Sequence, residues 1–369
     1  MKIFCPDCGR TTEFDYKEWH CSCGGAWELA EQKVFDMSLI ASSLSSLWRY
    51  EKLLPIELKE QPSVSLGAGW TPLMPAEYGG RKILLKLEYR MPTASFKDRG
   101  VEVMMSYLHS IDVRHVVEDS SGNAGASVAA YAARAGIKAE IYSPAHASKA
   151  KLAQIAIYGA KVHTVAGARI KATRAVMKVV KQGAVYASHA YHPVYLLAQQ
   201  TAAWEVWEQL GFKIPDWYVV PVGQGGKLLG IWLGFRRLLA AGLIEKIPRL
   251  VAVQPALLAP LCEAFNQNLA KWPITNPKAT SVAKGLAITK PVRWKRMLQA
   301  LRESNGKCIA VSEEEILSAH KKLAKLSFYV EPTSAVVVAA LRHLFAVVNP
   351  KETIVISLTG SGLKSPLSQ

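Results

Sequence analysis

Between residues 97 and 183, short apolar runs alternate with longer segments in which apolar residues recur every three or four positions. The runs at 116–118, 139–142 and 162–165 have the length and composition of strands. The segments that separate them, such as 148–158, have the period of amphipathic helices. Alternation of this kind predicts a parallel sheet with helices on both of its faces.

The same alternation continues from residue 204 to the end of the chain, with longer helical segments. Ser312 and Glu315 form a capping box, which predicts that one of these helices begins there. Strands are predicted at 217–222, 250–253, 309–311 and 354–357. Two successive series of strands and helices predict an α/β protein with parallel sheets flanked by helices.

The segment before these series follows neither period. Residues 34–50 predict a helix with serines along one side, and prolines mark 53–66 as a connector. Residues 67–73 combine two glycines with a proline, which predicts a loop. We therefore expect this segment to link the N-terminus to a strand at 82–88.

Four cysteines near the N-terminus lie in two close pairs, Cys5 with Cys8 and Cys21 with Cys23. Paired thiolates on either side of a short hairpin can close a tetrahedral zinc site. The second pair is irregular, because one residue separates its members instead of two, and His20 beside it is a spare ligand. The pattern favours a structural zinc ribbon, or the remnant of one, over unliganded thiols.

Composition narrows the class of protein. The chain has 369 residues, half of them hydrophobic, so it can bury a large core and hold two or three domains. No apolar run reaches the roughly 20 residues of a membrane span, and the first residues do not form a signal peptide. The six cysteines argue for a reducing compartment. We therefore expect a cytoplasmic protein without a membrane anchor.

The net charge of +16 has three interpretations: nucleic-acid binding, attraction of a small anion to a cleft, or an ordinary basic surface. The basic residues are spread over several predicted helices and form no arginine-rich tract. One such helix carries Lys171, Arg174, Lys178 and Lys181. This distribution disfavours nucleic-acid binding and favours a small anionic substrate. An ordinary basic surface explains most of the remaining positive charge.

A lysine stands where the predicted strand 82–88 gives way to a predicted helix over 100–108. Lys97 falls in the first turn of this helix, with Ser95 as the predicted N-cap. The helix dipole and burial both disfavour an ammonium ion there, which would make Lys97 a nucleophilic amine able to condense with an aldehyde. A solvated Lys-Asp-Arg turn is the alternative, and the motif alone favours that alternative.

Two loops make the nucleophilic role of Lys97 the better interpretation. Residues 120–125 follow the strand at 116–118, and their N–H groups at a helix start suit a carboxylate, while Asn123 can donate to an oxygen on a ring. Residues 223–227 follow the strand at 217–222, and their glycines let the backbone approach a phosphate. Either loop alone is an ordinary turn. Together with the lysine they describe a pyridoxal phosphate enzyme that acts on an amino acid.

The residues and the order of these motifs resemble those of the fold-type-II pyridoxal-phosphate enzymes, which have the fold of the tryptophan synthase β subunit. Within these enzymes, the chain resembles the threonine synthase family. The resemblance covers nearly the whole chain. So many matches in the same order are hard to obtain by chance. The matching segments are 48–50, 69–73, 95–100, 120–125, 223–226, 331–335 and 358–364.

The resemblance implies three parts and a homodimer. Residues 1–30 would be the zinc-ribbon-like knuckle, with Cys5, Cys8, Cys21 and Cys23 as metal ligands. Residues 31–90 and 184–369 would form the large cofactor-binding domain. Residues 91–183 would form a smaller, mobile α/β domain.

The resemblance also implies the roles of individual residues. Lys97 would hold the cofactor and move protons, Asn123 would bind the ring hydroxyl, and Thr359 would face the pyridine nitrogen as a neutral hydroxyl. The implied cofactor-binding residues are Phe96, Lys97, Asn123, Gly223, Gln224, Gly225, Gly226, Lys227 and Thr359. The implied substrate-binding residues are Thr93, Ser95, Ser121, Gly122 and Ala124.

A threonine synthase converts O-phospho-L-homoserine and water to L-threonine and phosphate. The chain departs from the family pattern near the substrate, where an Asn-Pro-Tyr-Arg and a Gly-Gln-Lys-Thr are typical. Here residues 189–195 and 198–201 carry neither the arginine nor the lysine, and His189 and His192 could replace them as donors. Met91, Ala94 and Gln224 are further departures, at positions where the family tends to have asparagine, glycine and asparagine.

Two alternatives stay open. An enzyme of the same fold could use another leaving group, as in a cysteate-synthase-like β-replacement on phosphoserine or a serine or threonine dehydratase. A zinc-ribbon nucleic-acid-binding protein on a degenerate scaffold would instead be colourless and would bind nucleic acid in a salt-sensitive way.

Overall fold

The computed structural model describes residues 1–30, 33–58, 64–145, 147–167, 169–275 and 280–365. The strands are β1 Lys2–Phe4, β2 Thr11–Glu13, β3 Glu28–Leu29, β4 Leu73–Tyr78, β5 Arg81–Lys86, β6 His115–Glu118, β7 Lys138–Pro144, β8 Lys161–Val165, β9 Val185–Tyr186, β10 Trp217–Pro221, β11 Arg249–Pro255, β12 Lys307–Val311 and β13 Ile354–Ser357. The α-helices are α1 Lys97–Ser110, α2 Asn123–Ala135, α3 Lys149–Ile157, α4 Arg169–Val180, α5 Pro193–Gln199, α6 Thr201–Gln209, α7 Gly226–Ala240, α8 Pro260–Asn266, α9 Trp294–Glu303, α10 Glu313–Lys325, α11 Pro332–Ala339 and α12 Leu341–Phe345. Within these described ranges, every helix is too short or too polar to cross a membrane.

The chain forms two compact units. One contains residues 1–69 and 91–198, and the other contains residues 70–90 and 199–369. The predicted domain bounds differ, because they place 31–69 and 184–198 with the second unit. The mobility of the smaller domain, residues 91–183, stays a prediction.

Two sets of contacts explain why those segments belong to the first unit. The Glu102 carboxylate in α1 accepts hydrogen bonds from the N–H groups of Leu66 and Ala68 at 3.1 and 3.0 Å, which holds the connector on this helix. Trp48 Nε1 donates to the same carboxylate at 2.5 Å. Downstream, β9 pairs in parallel with β6, so the chain beyond residue 184 completes the sheet of this unit.

The first unit has a parallel sheet in the order β8-β7-β6-β9 and a small antiparallel sheet in the order β2-β1-β3. Val117, Tyr142 and Tyr186 on one face of the parallel sheet pack against Ala172 and Val176 of α4. The predicted helix at 148–158, the predicted helix that carries Lys171 to Lys181 and the three strands predicted in this region are confirmed, with small shifts of their ends.

The second unit has a six-stranded sheet in the order β12-β11-β10-β13-β5-β4. Its neighbours pair in parallel, except for the antiparallel β4–β5 hairpin at one edge. Strands β10, β11 and β13 are buried along their length, apart from Arg249, as expected of central strands covered on both faces. Their carboxyl ends meet at one edge, where an open α/β sheet binds its ligand.

The predicted helix at 34–50 is wrong. The structure has two 3₁₀ segments there, Met37–Leu39 and Leu47–Leu53. The side chains of Asp36 and Ser46 accept hydrogen bonds from the N–H groups of Ser38 and Trp48, which favours short capped turns over a continuous helix. Part of the predicted connector, residues 59–63, lies outside the described residues.

Glu140 in β7 is the centre of a charge cluster in the parallel sheet of the first unit. Its carboxylate accepts from Lys138 Nζ at 2.7 Å and lies 2.7 Å from His163 Nε2. His115 Nε2 is 3.1 Å away. The hydrogen bond from Lys138 is the main cause that lowers the pKa of Glu140 from its usual value of 4.5 to about 2.

We predict that Glu140→Gln lowers the unfolding free energy at pH 7 by about 1 kcal/mol, because an ion pair whose lysine side chain is 62% exposed is worth little more. A carboxyl whose pKa is lowered by folding stabilises the protein above its unfolded pKa, and this stabilisation is lost as the pH falls from about 4.5 towards 2. Urea unfolding at pH 7 and pH 3 tests this. The difference from the wild type should shrink at pH 3, and a constant difference would contradict the prediction. Glu77→Gln, at an exposed edge strand, is the control.

Candidate active site

Lys97 is the first residue of α1, and its surroundings fix the start of that helix. The residue before it, Phe96, is the N-cap and makes no side-chain capping bond. Ser95, the predicted N-cap, lies one residue earlier, although its hydroxyl accepts from the Lys97 N–H at 3.4 Å. Ala94 adopts a φ of +62°, which is strained for a residue with a Cβ.

The Lys97 side chain lies among aromatic rings. Its Nζ is 4.6 Å from the centre of the Phe96 ring and 5.8 Å from that of Tyr195, both within the first unit. The side chain of Lys97 is half-buried, so the amine is partly removed from water. An amine in such surroundings can act as a nucleophile and can hold or release a proton.

Asp98, the next residue, is fully buried and anchors this helix start. Its carboxylate accepts from the Thr93 N–H and from Ser127 Oγ, each at 2.6 Å. Thr93 Oγ1 also donates to it. The hydroxyl of Thr93, a predicted substrate ligand, is therefore directed to Asp98, where it helps to position the chain around Lys97.

The loop at 120–125 follows β6 and leads into α2. The N-cap of α2 is Gly122, and no side chain caps the helix. A Cβ at Gly125 would lie 1.9 Å from the Ser120 carbonyl oxygen, so this position requires glycine. Ser121, Gly122 and Asn123 are half-buried, and Ala124 is buried. The first N–H groups of α2 lie beside them and, as at every helix start, have no partner within the helix.

These predicted residues are brought together within the first unit. Ser127 of α2 and Thr93 both bond to Asp98, so the first part of α2 and the segment before α1 are held to the same carboxylate. Ser95 is fully buried.

A buried carboxylate and imidazole lie at the carboxyl ends of two neighbouring strands of this unit. Glu118 ends β6, and His189 follows β9, with His189 Nδ1 2.7 Å from Glu118 Oε1. The ring of Tyr195 lies 6.2 Å from that of His189. Sequence reasoning missed Glu118 and Tyr195. The strand position of Glu118 was visible, but its pairing with a residue 71 positions away was not.

The second unit carries the glycine loop, residues 223–226. Gly225 has a φ of +83°, and a Cβ there would lie 2.1 Å from Met297 Sδ, so the loop requires glycine for two reasons. Helix α7 begins at Gly226 without a side-chain cap. Gly223 lies close to the Gly285 carbonyl, where a Cβ would be 3.0 Å from the oxygen. The half-buried Gln224 lies between them.

The side chain of Lys227, the last residue of the predicted phosphate loop, is buried within the second unit. Its side chain is 1% exposed, and its Nζ donates to the carboxylate of Glu88. The ammonium group is thus committed to a buried ion pair within the second unit.

Thr359 follows β13, the neighbour of β10, so it lies at the same sheet edge as the glycine loop. Its hydroxyl is 3.1 Å from Ser334 Oγ, which also accepts from the Thr359 N–H at 3.0 Å. Both side chains are neutral, which suits a ring nitrogen that stays unprotonated.

Taken separately, the donors of the two units suit three chemical groups: an aldehyde and a carboxylate in the first unit and a phosphate in the second. A half-buried amine can bind the aldehyde, and the uncapped start of α7 offers N–H groups to a phosphate. The uncapped start of α2 can do the same for a carboxylate.

Comparison with known proteins decides the family. Residues 64–360 match the family model described as pyridoxal-phosphate dependent enzyme. The chain belongs to this family. The enzyme is 35% identical to the threonine synthases of Methanocaldococcus jannaschii and of Methanosarcina acetivorans, over 98% of this chain and 92% of each relative.

Solved structures agree on the fold. A threonine deaminase from T.th. matches with a TM-score of 0.70 and 25% identity, over 81% of this chain and 94% of that protein. Maize serine racemase matches with a TM-score of 0.67 and 26% identity, over 79% and 88%. The predicted family, fold class and cofactor are confirmed, and the enzyme is threonine-synthase-like.

The four N-terminal cysteines of the enzyme form one cluster, with every pair of sulfurs within 4.8 Å. Cys5 Sγ is 3.5 Å from Cys23 Sγ, and Cys8 Sγ is 3.6 Å from Cys21 Sγ. Four thiolates about 2.3 Å from one zinc ion require sulfur separations of this order, so the donors fit the metal. The single residue between Cys21 and Cys23 does not prevent this.

His20, the spare ligand, is directed elsewhere. Its Nδ1 lies 2.6 Å from the Cys21 carbonyl oxygen, and its ring packs against Trp19 at 3.9 Å.

We predict that the purified enzyme holds about one zinc ion per chain, bound by four thiolates. Cys5→Ser should lose the metal and unfold at a lower temperature, because metal binding contributes folding free energy. Elemental analysis after gel filtration measures the metal, and thermal unfolding measures the stability. Cys262→Ser, a buried cysteine of the second unit, is the control and should keep the zinc. Unchanged metal content in Cys5→Ser would contradict the assignment.

Proposed function

We propose that this enzyme converts O-phospho-L-homoserine and water into L-threonine and phosphate. The observation that carries the proposal is the similarity to threonine synthases over 98% of the chain, which includes the cysteine cluster. The match to the deaminase structure covers less of the chain, 81%, at lower identity. The net charge of +16 is consistent with an anionic substrate. A cytoplasmic location and a homodimer remain expectations.

Each site residue has a proposed role. Bound pyridoxal phosphate would supply an electron sink at the substrate Cα. Lys97 would hold the cofactor and then carry protons between substrate carbons, a task that suits its half-buried amine beside Phe96. Asn123 would donate to the ring hydroxyl, and Thr359 would keep the ring nitrogen neutral.

The phosphate and carboxylate groups would be bound mainly by backbone. The N–H groups of residues 223–227, in the glycine loop and the first turn of α7, would hold the cofactor phosphate. Ser121, Gly122 and Ala124 at the start of α2 would hold the substrate carboxylate.

The leaving phosphate of the substrate needs its own donor, because the arginine and lysine typical of the family are absent. We assign this role to His189. Its bond to the buried Glu118 orients the imidazole, as a carboxylate does for a catalytic histidine, and Tyr195 links it to the surroundings of Lys97.

A second candidate is a dehydratase of the same fold, or a β-replacement enzyme that acts on phosphoserine. The observations that favour it are the absence of that arginine and the similarity to a threonine deaminase structure. A nucleic-acid-binding role is disfavoured, because Lys97 and the glycine loop are retained within the matched family region.

A product assay separates these candidates. The purified enzyme should release phosphate and L-threonine from O-phospho-L-homoserine, detected by a phosphate assay and by chromatography of the amino acids. O-phospho-L-serine with sulfite, L-serine and L-threonine form the comparison panel. Release of a 2-oxo acid from L-threonine, with no turnover of phosphohomoserine, would overturn the proposal in favour of a dehydratase.

We predict that Lys97→Ala abolishes the visible absorbance of the lysine-bound cofactor and lowers kcat by about a thousandfold or more, because both covalent binding and proton transfer are lost. Absorption spectra and mass spectrometry after borohydride reduction locate the labelled lysine. Lys149→Ala is the matched control, since Lys149 is also the first residue of a helix but is exposed. A label that persists on Lys97→Ala would show that another lysine holds the cofactor.

A further inference from the structure

Two buried ion pairs lie side by side in the second unit. Lys86 and Glu205 have fully buried side chains, and Lys86 Nζ is 2.8 Å from Glu205 Oε2. Lys86 Nζ also donates to the Thr71 carbonyl oxygen at 2.7 Å and to Gln209 Oε1 at 2.9 Å. The ammonium group thus has three acceptors, which is its full capacity.

The second pair joins Lys227 to Glu88, with side-chain exposures of 1% and 0%. The other Glu88 oxygen accepts from Thr71 Oγ1 at 2.7 Å. Thr71 therefore connects both pairs, through its carbonyl oxygen to one and through its hydroxyl to the other.

The network connects segments that are far apart in sequence. Glu88 follows β5, Lys227 is the second residue of α7, and these two are separated by 139 positions. The Trp70 N–H donates to Glu205 Oε1 at 2.8 Å, which also fixes the loop before β4. Trp70 holds a φ of +45°, so this loop is strained and needs such anchoring.

Burial of four charges is a poor way to gain stability alone. Removing an ion pair from water costs about as much as its attraction returns, and an apolar pair of similar volume is often as stable. In some proteins a buried ion pair instead serves to fix one arrangement of the chain, because each buried charge needs a hydrogen-bonded partner. What the Lys227–Glu88 pair fixes is the first turn of α7, directly after the glycine loop.

The loop is thereby held from two directions. Met297 leaves no room for a Cβ at Gly225, and Glu88 anchors the side chain of Lys227 two residues later. A lysine that bound the phosphate itself would direct its ammonium group to that anion. Here the ammonium group is bound to a carboxylate, and the backbone N–H groups are left to bind the anion.

We propose that the Lys227–Glu88 pair is a positioning device that sets the N–H groups of residues 225–227 for the cofactor phosphate. This inference rests on the assignment of the glycine loop to that phosphate. Lys227 is a positioning residue. Thr71, in the loop before β4, bonds to the same Glu88 carboxylate and is therefore held by the same pair.

The test replaces each pair by neutral groups of similar size. Lys227→Met with Glu88→Gln removes the proposed device, and the amide oxygen introduced at position 88 can still accept from Thr71. Lys86→Met with Glu205→Gln is the matched control, because it removes an equally buried pair of the same network whose bonds run to α6 and to residues 70–71. Urea unfolding shows whether each protein is folded. The affinity of the stripped enzyme for pyridoxal phosphate, and the ³¹P resonance of the bound phosphate, are the decisive readouts.

The Lys227→Met/Glu88→Gln protein should bind pyridoxal phosphate roughly tenfold or more weakly, a loss like that seen when the residues that orient metal ligands are removed. Its ³¹P resonance should shift or broaden. The control should keep the wild-type affinity and resonance, whatever its stability. Wild-type values in both proteins, or an equal loss in both, would overturn the proposal. Wild-type enzyme that binds the cofactor but forms no threonine would refute the proposed reaction and leave this inference intact.

Discussion

The uncapped N-termini of α2, in the first unit, and of α7, in the second, are the features on which the two proposed anion sites depend. A helix start leaves its first N–H groups without intrahelical partners, and a side-chain cap is the usual remedy. Here Gly122 and Gly225 stand at the N-cap positions and cannot supply one. Such a helix start binds anions through its N–H groups and its dipole. Each unit places one of these ends beyond a parallel strand, so each can bind one anionic group.

Much of this arrangement could be predicted from sequence, because the local pattern carries it. The alternation of strands and helices, the capping box at Ser312 and the glycine loop depend on near neighbours, and the structure has them where the pattern places them. The pairs of cysteines are equally local. The wrong helix prediction at 34–50 also has a local cause. The side chains of Asp36 and Ser46 cap the starts of two short 3₁₀ segments, where the pattern predicts one continuous helix.

Other features depend on partners distant in the chain, and no local pattern shows them. Strand β9 has two residues, too few for a periodicity signal, yet its pairing with β6 assigns the chain up to residue 198 to the first unit. Thr93 resembles a substrate ligand in the sequence, but its hydroxyl is directed to Asp98. The sequence pattern does not show that the Lys227 side chain binds Glu88, 139 positions away.

These long-range contacts divide the work between backbone and side chains. Backbone N–H groups bind anions without being specific for one. The buried carboxylates of Asp98 and Glu88 have no proposed role in binding a ligand; they hold the segments that do. Since an unpaired buried carboxylate is far less stable than a paired one, each carboxylate makes its segment adopt a single arrangement. The position of Lys97 therefore depends on the neighbouring buried carboxylate of Asp98, which has no proposed contact with a ligand.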